Sequence, residues 1–452
     1  MNVPPADGPA RVAHPATVAP PARAEAPPSR RFVIAATVAG MLATAIACWL
    51  LDALARHGAW GPLSDALFVT PFWKDAAASS QGLLPYRDYP LEYPPLSLPV
   101  ILLPSLFAGP GLTEAGYTRG FELVVSACAV ALVPIVVLTV VRLRGRRFDV
   151  VAATVLVALS PLLLGSLAIS RYDVWPALLT AAATLAMVAG RFRRAAAILA
   201  LAVLAKVYPG FLIPIFVAYA WRVAGRREAI VDTAIGAAVG LAGMLPFIAL
   251  DPAGAVDPFA RFIARPLQVE SLGAAILMAL HDWLGPAFGH FAYTYFSYNI
   301  DGQLPSLVAT IQTVALIVAL LAIWIAVIRG PADPARLVVA CAAALAAGVA
   351  LGKVLSPQYV VWLVPPIAVL AGVRGIRVLV AIAIVLGLTQ LYYPSMYQAY
   401  LRFDAGATLV ILVRNLALVL LTAYLAAATG VFRLLPGWPS PPSEPPVSIS
   451  RP

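Results

Sequence analysis

Long apolar runs separated by short arginine clusters constrain the fold of this chain more than any other feature. A transmembrane helix needs about 20 apolar residues, and the clear candidates are 32–53, 120–141, 149–169, 229–250, 306–328, 377–393 and 406–428. Shorter candidates are 174–190, 336–352 and 359–373. Of the 452 residues, 61% are hydrophobic and only 12% are charged, a composition that excludes a soluble globule. The sequence therefore predicts an all-α polytopic membrane protein.

The arginine clusters predict how the chain crosses the membrane. Cytoplasmic loops of membrane proteins are enriched in Lys and Arg. All the clusters can lie on that side: Arg142/Arg144/Arg146/Arg147, Arg191/Arg193/Arg194, Arg222/Arg226/Arg227, Arg329/Arg336 and Arg374/Arg377. The net charge of +10 is then a topology signal, and we expect no nucleic-acid partner. This orientation puts both termini in the cytoplasm and two large loops, 54–119 and 251–305, outside.

Two segments are not expected to cross as single helices. Residues 95–108 are short and interrupted by Pro99 and Pro104, which predicts a half-inserted or surface segment. Residues 195–221 have arginine clusters at both ends, so we expect two half-length helices that meet near Lys206, with Pro209 opening the second. The prediction is about twelve hydrophobic segments in a domain spanning 31–430. The Pro-rich tails at 1–30 and 431–452 are predicted to be disordered and cytoplasmic.

The run 82–96, rich in proline and tyrosine, predicts a structured loop in which to look for chemistry. Irregular, charged backbone avoids hydrocarbon unless protein shields it or it lines a wet cavity. The loop carboxylates are either candidates for a general base or solvated charges and helix caps: Asp65, Asp75, Asp88 and Glu92. Its aromatic residues form either a sugar platform or an interfacial belt: Phe72, Trp73, Tyr86, Tyr89 and Tyr93.

Five cations recur in short motifs at the predicted outer ends of helices: Arg171, Lys206, Arg265, Lys353 and Arg414. Arg414 lies inside the last span, where an unpaired charge costs at least ~2.5 kcal/mol. One interpretation is that several of these cations converge on a buried anion, such as a phosphate at the membrane interface. The alternative is local pairing, of Arg171 with Asp173, of Arg265 with Glu270, and of Arg414 with a carboxylate such as Asp173.

Taken together, these motifs resemble glycosyltransferase family 87 of the GT-C superfamily, the integral-membrane mannosyltransferase-like proteins. The resemblance spans roughly residues 32–430. Its matching pieces are Gly82…Pro85-Tyr86-Arg87-Asp88…Glu92-Tyr93-Pro94-Pro95, Arg171-Tyr172-Asp173, Lys206-Val-Tyr208-Pro209, Arg265-Pro-Leu-Gln268-Val-Glu270-Ser271, Ser356-Pro357-Gln358-Tyr359 and Arg414-Asn415.

The resemblance implies a GT-C bundle that transfers a sugar, most simply mannose, from a polyprenyl-phosphate donor to a lipid or glycan acceptor. The reaction would occur on the outer face of the cell membrane, with inversion and with no metal or other cofactor. The general base would be Asp65, with Asp88 and Glu92 as alternatives, and the five cations would hold the donor phosphate. Other motif residues would contact the substrates: Tyr86, Tyr93, Asp173, Tyr208, Gln268, Glu270, Gln358 and Asn415.

Two other classes of function stay open at this stage. A transporter or flippase would explain the many spans and the intramembrane cations, but not the contrast between large outer and small inner loops. A non-catalytic membrane subunit of an envelope complex is the other alternative.

Overall fold

Helices account for most of the first half of the chain. The computed structural model describes residues 27–56, 66–109 and 111–431, so Asp65 and most of the predicted tails lie outside the described residues. The first ten helices are α1 (Arg30–Arg56), α2 (Ala66–Ser80), α3 (Leu98–Leu102), α4 (Glu114–Arg142), α5 (Arg147–Leu164), α6 (Leu167–Ser170), α7 (Val174–Val188), α8 (Phe192–Ala205), α9 (Ile213–Ala224) and α10 (Arg226–Leu250). Short 3₁₀ segments cover Pro95–Ser97, Leu103–Phe107 and Tyr208–Leu212.

The second half adds ten helices and a small sheet. The helices are α11 (Pro252–Ala264), α12 (Leu272–Ala279), α13 (His281–Leu284), α14 (Gln303–Arg329), α15 (Pro334–Leu351), α16 (Val364–Ala368), α17 (Ala371–Arg374), α18 (Ile376–Tyr392), α19 (Tyr397–Leu401) and α20 (Ala405–Ala428). The strands β1 (Leu267–Gln268), β2 (His290–Thr294) and β3 (Ser297–Asp301) form an antiparallel sheet in the order β1-β3-β2. Further 3₁₀ segments cover Gly285–Phe288 and Pro357–Leu363.

The structure confirms an all-α membrane protein, although not the predicted number of segments. Among the described residues, seven helices are long and apolar enough to cross a membrane: α1, α4, α5, α10, α14, α15 and α20. Helix α18, predicted as a clear span, has 17 residues and falls among the shorter apolar helices. The candidate 359–373 is divided between a 3₁₀ segment, α16 and α17. The predicted count of about twelve hydrophobic segments, which included half-length helices, is not confirmed.

Neither of the two segments expected not to cross as a single helix forms one continuous helix. Residues 95–107 are split into three short helical pieces, because Pro99 and Pro104 each restart the helix. Helices α8 and α9 are separated at Lys206, whose backbone is extended, with φ −164° and ψ 143°. The turn between them is held by the indole of Trp324, which donates to the carbonyl of Phe211 at 3.1 Å. The prediction of two half-length helices meeting near Lys206 is confirmed.

The described residues define two ends of the helical bundle. At one end, which we call the loop face, the segments 81–113 and 251–302 meet: the Glu92 carboxylate lies 3.7 Å from the Arg265 guanidinium. At the other end, which we call the arginine face, basic side chains tie helix termini together. Arg222 donates to the carbonyl of Ile328 at 2.6 Å, and Arg374 donates to that of Ala428 at 3.0 Å.

Burial differs sharply between helices. Helix α15 is an Ala- and Val-rich segment that is buried along almost its whole length, against α14 and α20. Helices α1, α10 and α14 instead expose rows of large apolar side chains, such as Leu42, Leu241 and Ile311. Exposed apolar surface of this extent on a helix long enough to span is the surface that lipid hydrocarbon covers.

The orientation of the two faces is testable by thiol labelling, because Cys48, Cys128 and Cys341 are all buried. Cysteines introduced at Glu114 and Asp257, on the loop face, should react with an impermeant reagent in intact cells. A cysteine at Arg146, on the arginine face, should not react. Labelling of position 146 with protection of position 257 would invert the predicted topology.

Candidate functional site

The loop 81–94 is anchored by the side chain of Tyr86. This residue has a positive φ of 68° and is buried, and its hydroxyl donates to the carbonyl of Tyr93 at 2.6 Å. A Cβ atom at Gly254 would come within 2.2 Å of the Tyr86 carbonyl oxygen, so glycine lets α11 approach the loop. Tyr86, predicted to contact substrate, is placed where it holds the loop against α10 and α11.

Asp88, an alternative for the base, closes a turn at the surface. Its carboxylate accepts a hydrogen bond from the backbone N–H of Leu84 at 2.8 Å. It also forms an ion pair of 2.9 Å with the exposed Arg87, which lowers the pKa of Asp88. Asp88 does not line the cavity that lies below the loop.

That cavity has a volume of about 330 Å³ and is bounded by the loop 81–94, the turn after α8, α11, α14 and the end of α15. Its charged side chains are Glu92, Lys206, Arg261, Arg265 and Lys353. Its aromatic side chains are Tyr93, Tyr208, Phe211, Phe262, Tyr359 and Trp362. Apolar side chains also line it, among them Ile263, Leu316 and Val354. The cavity thus combines cationic and apolar lining.

Lys206 occupies an aromatic cage with a single carboxylate. Its ammonium donates to Asp173 Oδ1 at 2.6 Å, and the indole N–H of Trp362 donates to the same oxygen at 2.8 Å. The ammonium also lies 4.8 Å from the ring centroid of Tyr172 and 5.0 Å from that of Tyr359, within the range of cation–π attraction. The predicted pairing of Asp173 with Arg171 is therefore wrong for this conformation, since Asp173 pairs with Lys206.

Arg265 connects the first loop to the sheet. Its guanidinium lies 3.7 Å from Glu92 Oε1 and donates to the carbonyl of Tyr295 at 2.7 Å. The partner is Glu92 and not Glu270, which corrects the predicted local pairing. Across the cavity, the ammonium of Lys353 donates to the carbonyl of Ile263, the penultimate residue of α11, at 2.9 Å.

Two carboxyl groups of the first loop have a raised pKa. Burial raises the pKa of Glu92, while Arg265, Lys206 and Arg171 act against that shift. Burial, and then the negative charge of Glu92, raise the pKa of Asp75 on α2 to about 7. A carboxyl group with a pKa near neutrality can exchange protons under physiological conditions. No sequence signal favours Asp75 over the other loop carboxylates.

Arg414 belongs to a second, fully buried cluster that does not line the cavity. Its guanidinium donates to the carbonyl of Glu270 at 2.7 Å and to Asn415 Oδ1 at 2.8 Å. The Asn415 amide donates to the same Glu270 carbonyl at 3.2 Å. Burial raises the pKa of the Glu270 carboxyl to about 7, and Arg414 opposes that shift. The cluster fixes the segment between β1 and α12, and Arg414 does not pair with Asp173.

The segment held by Arg414 reaches the cavity through β1. The side-chain amide of Gln268 donates to Ser356 Oγ at 2.9 Å, and its backbone N–H donates to the carbonyl of Lys353 at 3.0 Å. Arg171 hydrogen-bonds to Tyr393 and acts through its charge on Glu92. Gln358 is half-buried beside Tyr359. The predicted residues are therefore neighbours, but only Lys206, Arg265 and Lys353 of the five cations line the cavity.

Replacing Arg414 should weaken the fold rather than act on a ligand. In Arg414→Leu the carbonyl of Glu270 loses a charged donor in a buried site, which should lower the free energy of unfolding by about 1–3 kcal/mol. The control is Arg402→Leu, because Arg402 is exposed at the same end of α20. Unfolding of the purified proteins in detergent is the measurement. Equal stability of both variants would show that the cluster does not hold the segment.

Two polar residues of the cavity, Arg261 and Trp362, were not identified from the sequence. Arg261 lies four positions before Arg265, a spacing that puts both near one face of a helix, yet alone it looks like an ordinary loop charge. Its side chain pairs with Asp257. Trp362 stands in an apolar run and looks like a packing residue, and no sequence signal reveals its bond to Asp173.

No protein-family model matches this chain, and a search of the curated proteins finds no match.

Proposed function

We propose that the protein is a membrane glycosyltransferase that moves a sugar, most simply mannose, from a polyprenyl-phosphate donor to a lipid or glycan acceptor. The observation that supports this is the cavity, whose lining combines cations with aromatic and aliphatic side chains. A polyprenyl-phosphate sugar has two matching parts, an anionic head and a long hydrocarbon tail. The resemblance in sequence supports the same class of reaction.

The charge of the cavity suits a phosphodiester. Four cations line it, and three carboxylates oppose them. Glu92 lines the cavity itself, whereas Asp173 and Asp257 are the ion-pair partners of Lys206 and Arg261. Four positive and three negative charges leave an excess of one positive charge. A phosphodiester carries one negative charge, so the bound donor would neutralise the site. Arginine suits this role because its planar fork binds two phosphate oxygens.

The proposed reaction is an inverting displacement. A carboxylate takes the proton of the acceptor hydroxyl while the hydroxyl oxygen attacks the anomeric carbon from the face opposite the phosphate. The bond from the anomeric carbon to the phosphate oxygen breaks, and polyprenyl phosphate leaves with the electron pair. Lysine and arginine side chains stabilise the developing charge on that oxygen. These side chains would take the part that a metal ion plays in other glycosyltransferases.

The base is proposed to be Asp65, which lies outside the described residues, with Glu92 as the alternative that lines the cavity. Glu92 lies 3.7 Å from Arg265, one of the cations proposed to hold the donor phosphate, so it would be near a hydroxyl bound next to that phosphate. Asp88 is less suitable, because it is engaged with Arg87 and Leu84 at the surface.

The reaction is proposed to occur on the outer face of the cell membrane. The loop face holds the cavity and the long loops, whereas the arginine clusters lie at the other end. By the positive-inside tendency the arginine face is cytoplasmic. A polyprenyl phosphate in the outer leaflet would then reach the cavity from the side.

One feature favours a transporter or flippase instead. Half-helices that meet in the membrane, as α8 and α9 do at Lys206, are common around the substrate sites of transporters. The two functions differ in outcome, since a transferase cleaves the donor and a flippase moves it intact.

The proposal is tested with the purified protein and a panel of polyprenyl-phosphate sugars. The protein is incubated with mannosyl, glucosyl and galactosyl donors and a membrane lipid extract as acceptor, and released polyprenyl phosphate is measured. We expect release above the protein-free rate, and fastest from the mannosyl donor. Release from none of the donors, by protein that remains folded, would count against a transferase.

A further inference from the structure

A second cavity, distinct from the one on the loop face, contains a buried carboxylate with no counter-charge bonded to it. This cavity has a volume of about 300 Å³ and lies between α8, α9 and α10. Asp232 of α10 lines it and is only 4% exposed. Among the described residues, neither oxygen of its carboxyl group has a hydrogen-bond partner. An ionisable group inside a spanning helix is costly, so such a residue usually serves a purpose.

The neighbouring charges do not satisfy Asp232. Glu228, one turn earlier on α10, forms a two-pronged ion pair with Arg193 of α8, at 2.9 and 3.2 Å. That pair lies at the arginine face: Arg193 directs Nε and Nη2 to Glu228 and acts on Asp232 only through its charge. Asp232 lies six residues after Arg226, about 9 Å along the helix axis from the start of α10. It is therefore just below the charged rim of the arginine face.

The rest of the cavity is apolar and runs away from that rim. From Asp232 it follows α10 to Gly240, eight residues or about 12 Å further into the membrane. Leu199, Val203 and Phe216 line it on the opposing helices. It opens sideways, because Thr233 and Ala237 of α10 both line it and are exposed. A ligand would therefore need one cationic end and one hydrocarbon chain.

We propose that this cavity binds an aminophospholipid of the phosphatidylethanolamine class, from the leaflet at the arginine face. Its ammonium group donates hydrogen bonds to both oxygens of Asp232, and one acyl chain lies along α10 toward Gly240. The arginines at the ends of α8 and α10, such as Arg194 and Arg227, are available to the lipid phosphate. A bound metal ion fits the cavity poorly, since one carboxylate in an apolar surround cannot supply the six or more oxygens that hard cations take.

The proposal predicts a difference between head groups. A primary ammonium has three N–H donors, whereas the quaternary ammonium of phosphatidylcholine has none. The detergent-purified full-length protein is titrated with phosphatidylethanolamine, phosphatidylcholine and phosphatidylglycerol of identical acyl chains, and bound lipid is counted by native mass spectrometry. We expect one molecule of phosphatidylethanolamine to bind about tenfold more tightly than either of the others.

Three variants locate the site. Asp232→Asn should remove the preference for phosphatidylethanolamine, and Glu228→Gln, which alters a neighbouring carboxylate outside the cavity, should keep it. Ala200→Leu, which fills the apolar part, should weaken the binding of that one lipid while leaving Asp232 in place. Equal affinity of the wild-type protein for the three lipids, or an undiminished preference in Asp232→Asn, would overturn the proposal.

Discussion

Asp65→Asn should lower the rate of sugar transfer by about 10²–10⁴-fold while leaving donor affinity unchanged. Asparagine keeps the shape of the side chain and removes its basicity, and a general base of this type contributes a factor of that size. The measurement is the transfer rate at saturating donor, with donor affinity determined separately. A loss of affinity together with rate would indicate a role in binding instead.

Matched variants in the same loop distinguish the alternatives. Asp88→Asn should stay within a few-fold of the wild-type rate, because Asp88 closes a surface turn with Leu84 and pairs with Arg87. Glu92→Gln removes the carboxylate beside Arg265. Near-normal transfer by Asp65→Asn, combined with a large loss in Glu92→Gln, would assign the base to Glu92.

Arg265→Gln should weaken binding of the polyprenyl-phosphate donor by about 10- to 100-fold. A hydrogen bond to a charged group contributes about 1.5–3 kcal/mol, and each 1.4 kcal/mol is a factor of ten. Lys353→Gln should act in the same direction, since Lys353 lines the same cavity. Donor affinity is measured by titration of the purified protein.

The control for this pair is Arg87→Gln, which removes a cation of the same face that is exposed and outside the cavity. Lys206 is a poorer choice, because its loss leaves the buried Asp173 without its cation and threatens folding. Unchanged donor affinity in Arg265→Gln and Lys353→Gln, with Arg87→Gln as the reference, would remove the phosphate site from this cavity.

The membrane fold follows from the sequence because bilayer thickness imposes a length on each helix. The runs at 306–328 and 406–428 became α14 and α20 with bounds shifted by at most three residues. The break at Lys206 was also predictable, since one helix cannot begin and end on the same side. The segment 359–373 was less predictable: its length suits a short span, but it divides into a 3₁₀ segment and two short helices.

The candidate site was only partly predictable, because partners far apart in the chain decide it. Lys206 has no acidic neighbour in sequence, yet Asp173, 33 positions earlier, bonds to it. Arg414 is grouped with Lys206 among the five cations that could converge on a buried anion. Its guanidinium instead bonds to a backbone carbonyl at Glu270, 144 positions away. The sequence identifies charged side chains whose burial is costly in free energy. It does not show whether a carboxylate, a backbone carbonyl or a ligand pairs with each of them.

A polyprenyl-phosphate sugar bound in the cavity on the loop face should lose its sugar to an acceptor, and should not be transported intact. Proteoliposomes containing the purified protein and a polyprenyl-phosphate donor labelled in its sugar test this most directly. We predict that the label appears on an acceptor, with inverted anomeric configuration and an equal amount of polyprenyl phosphate released. Movement of the intact donor between leaflets, with no polyprenyl phosphate released, would contradict the account.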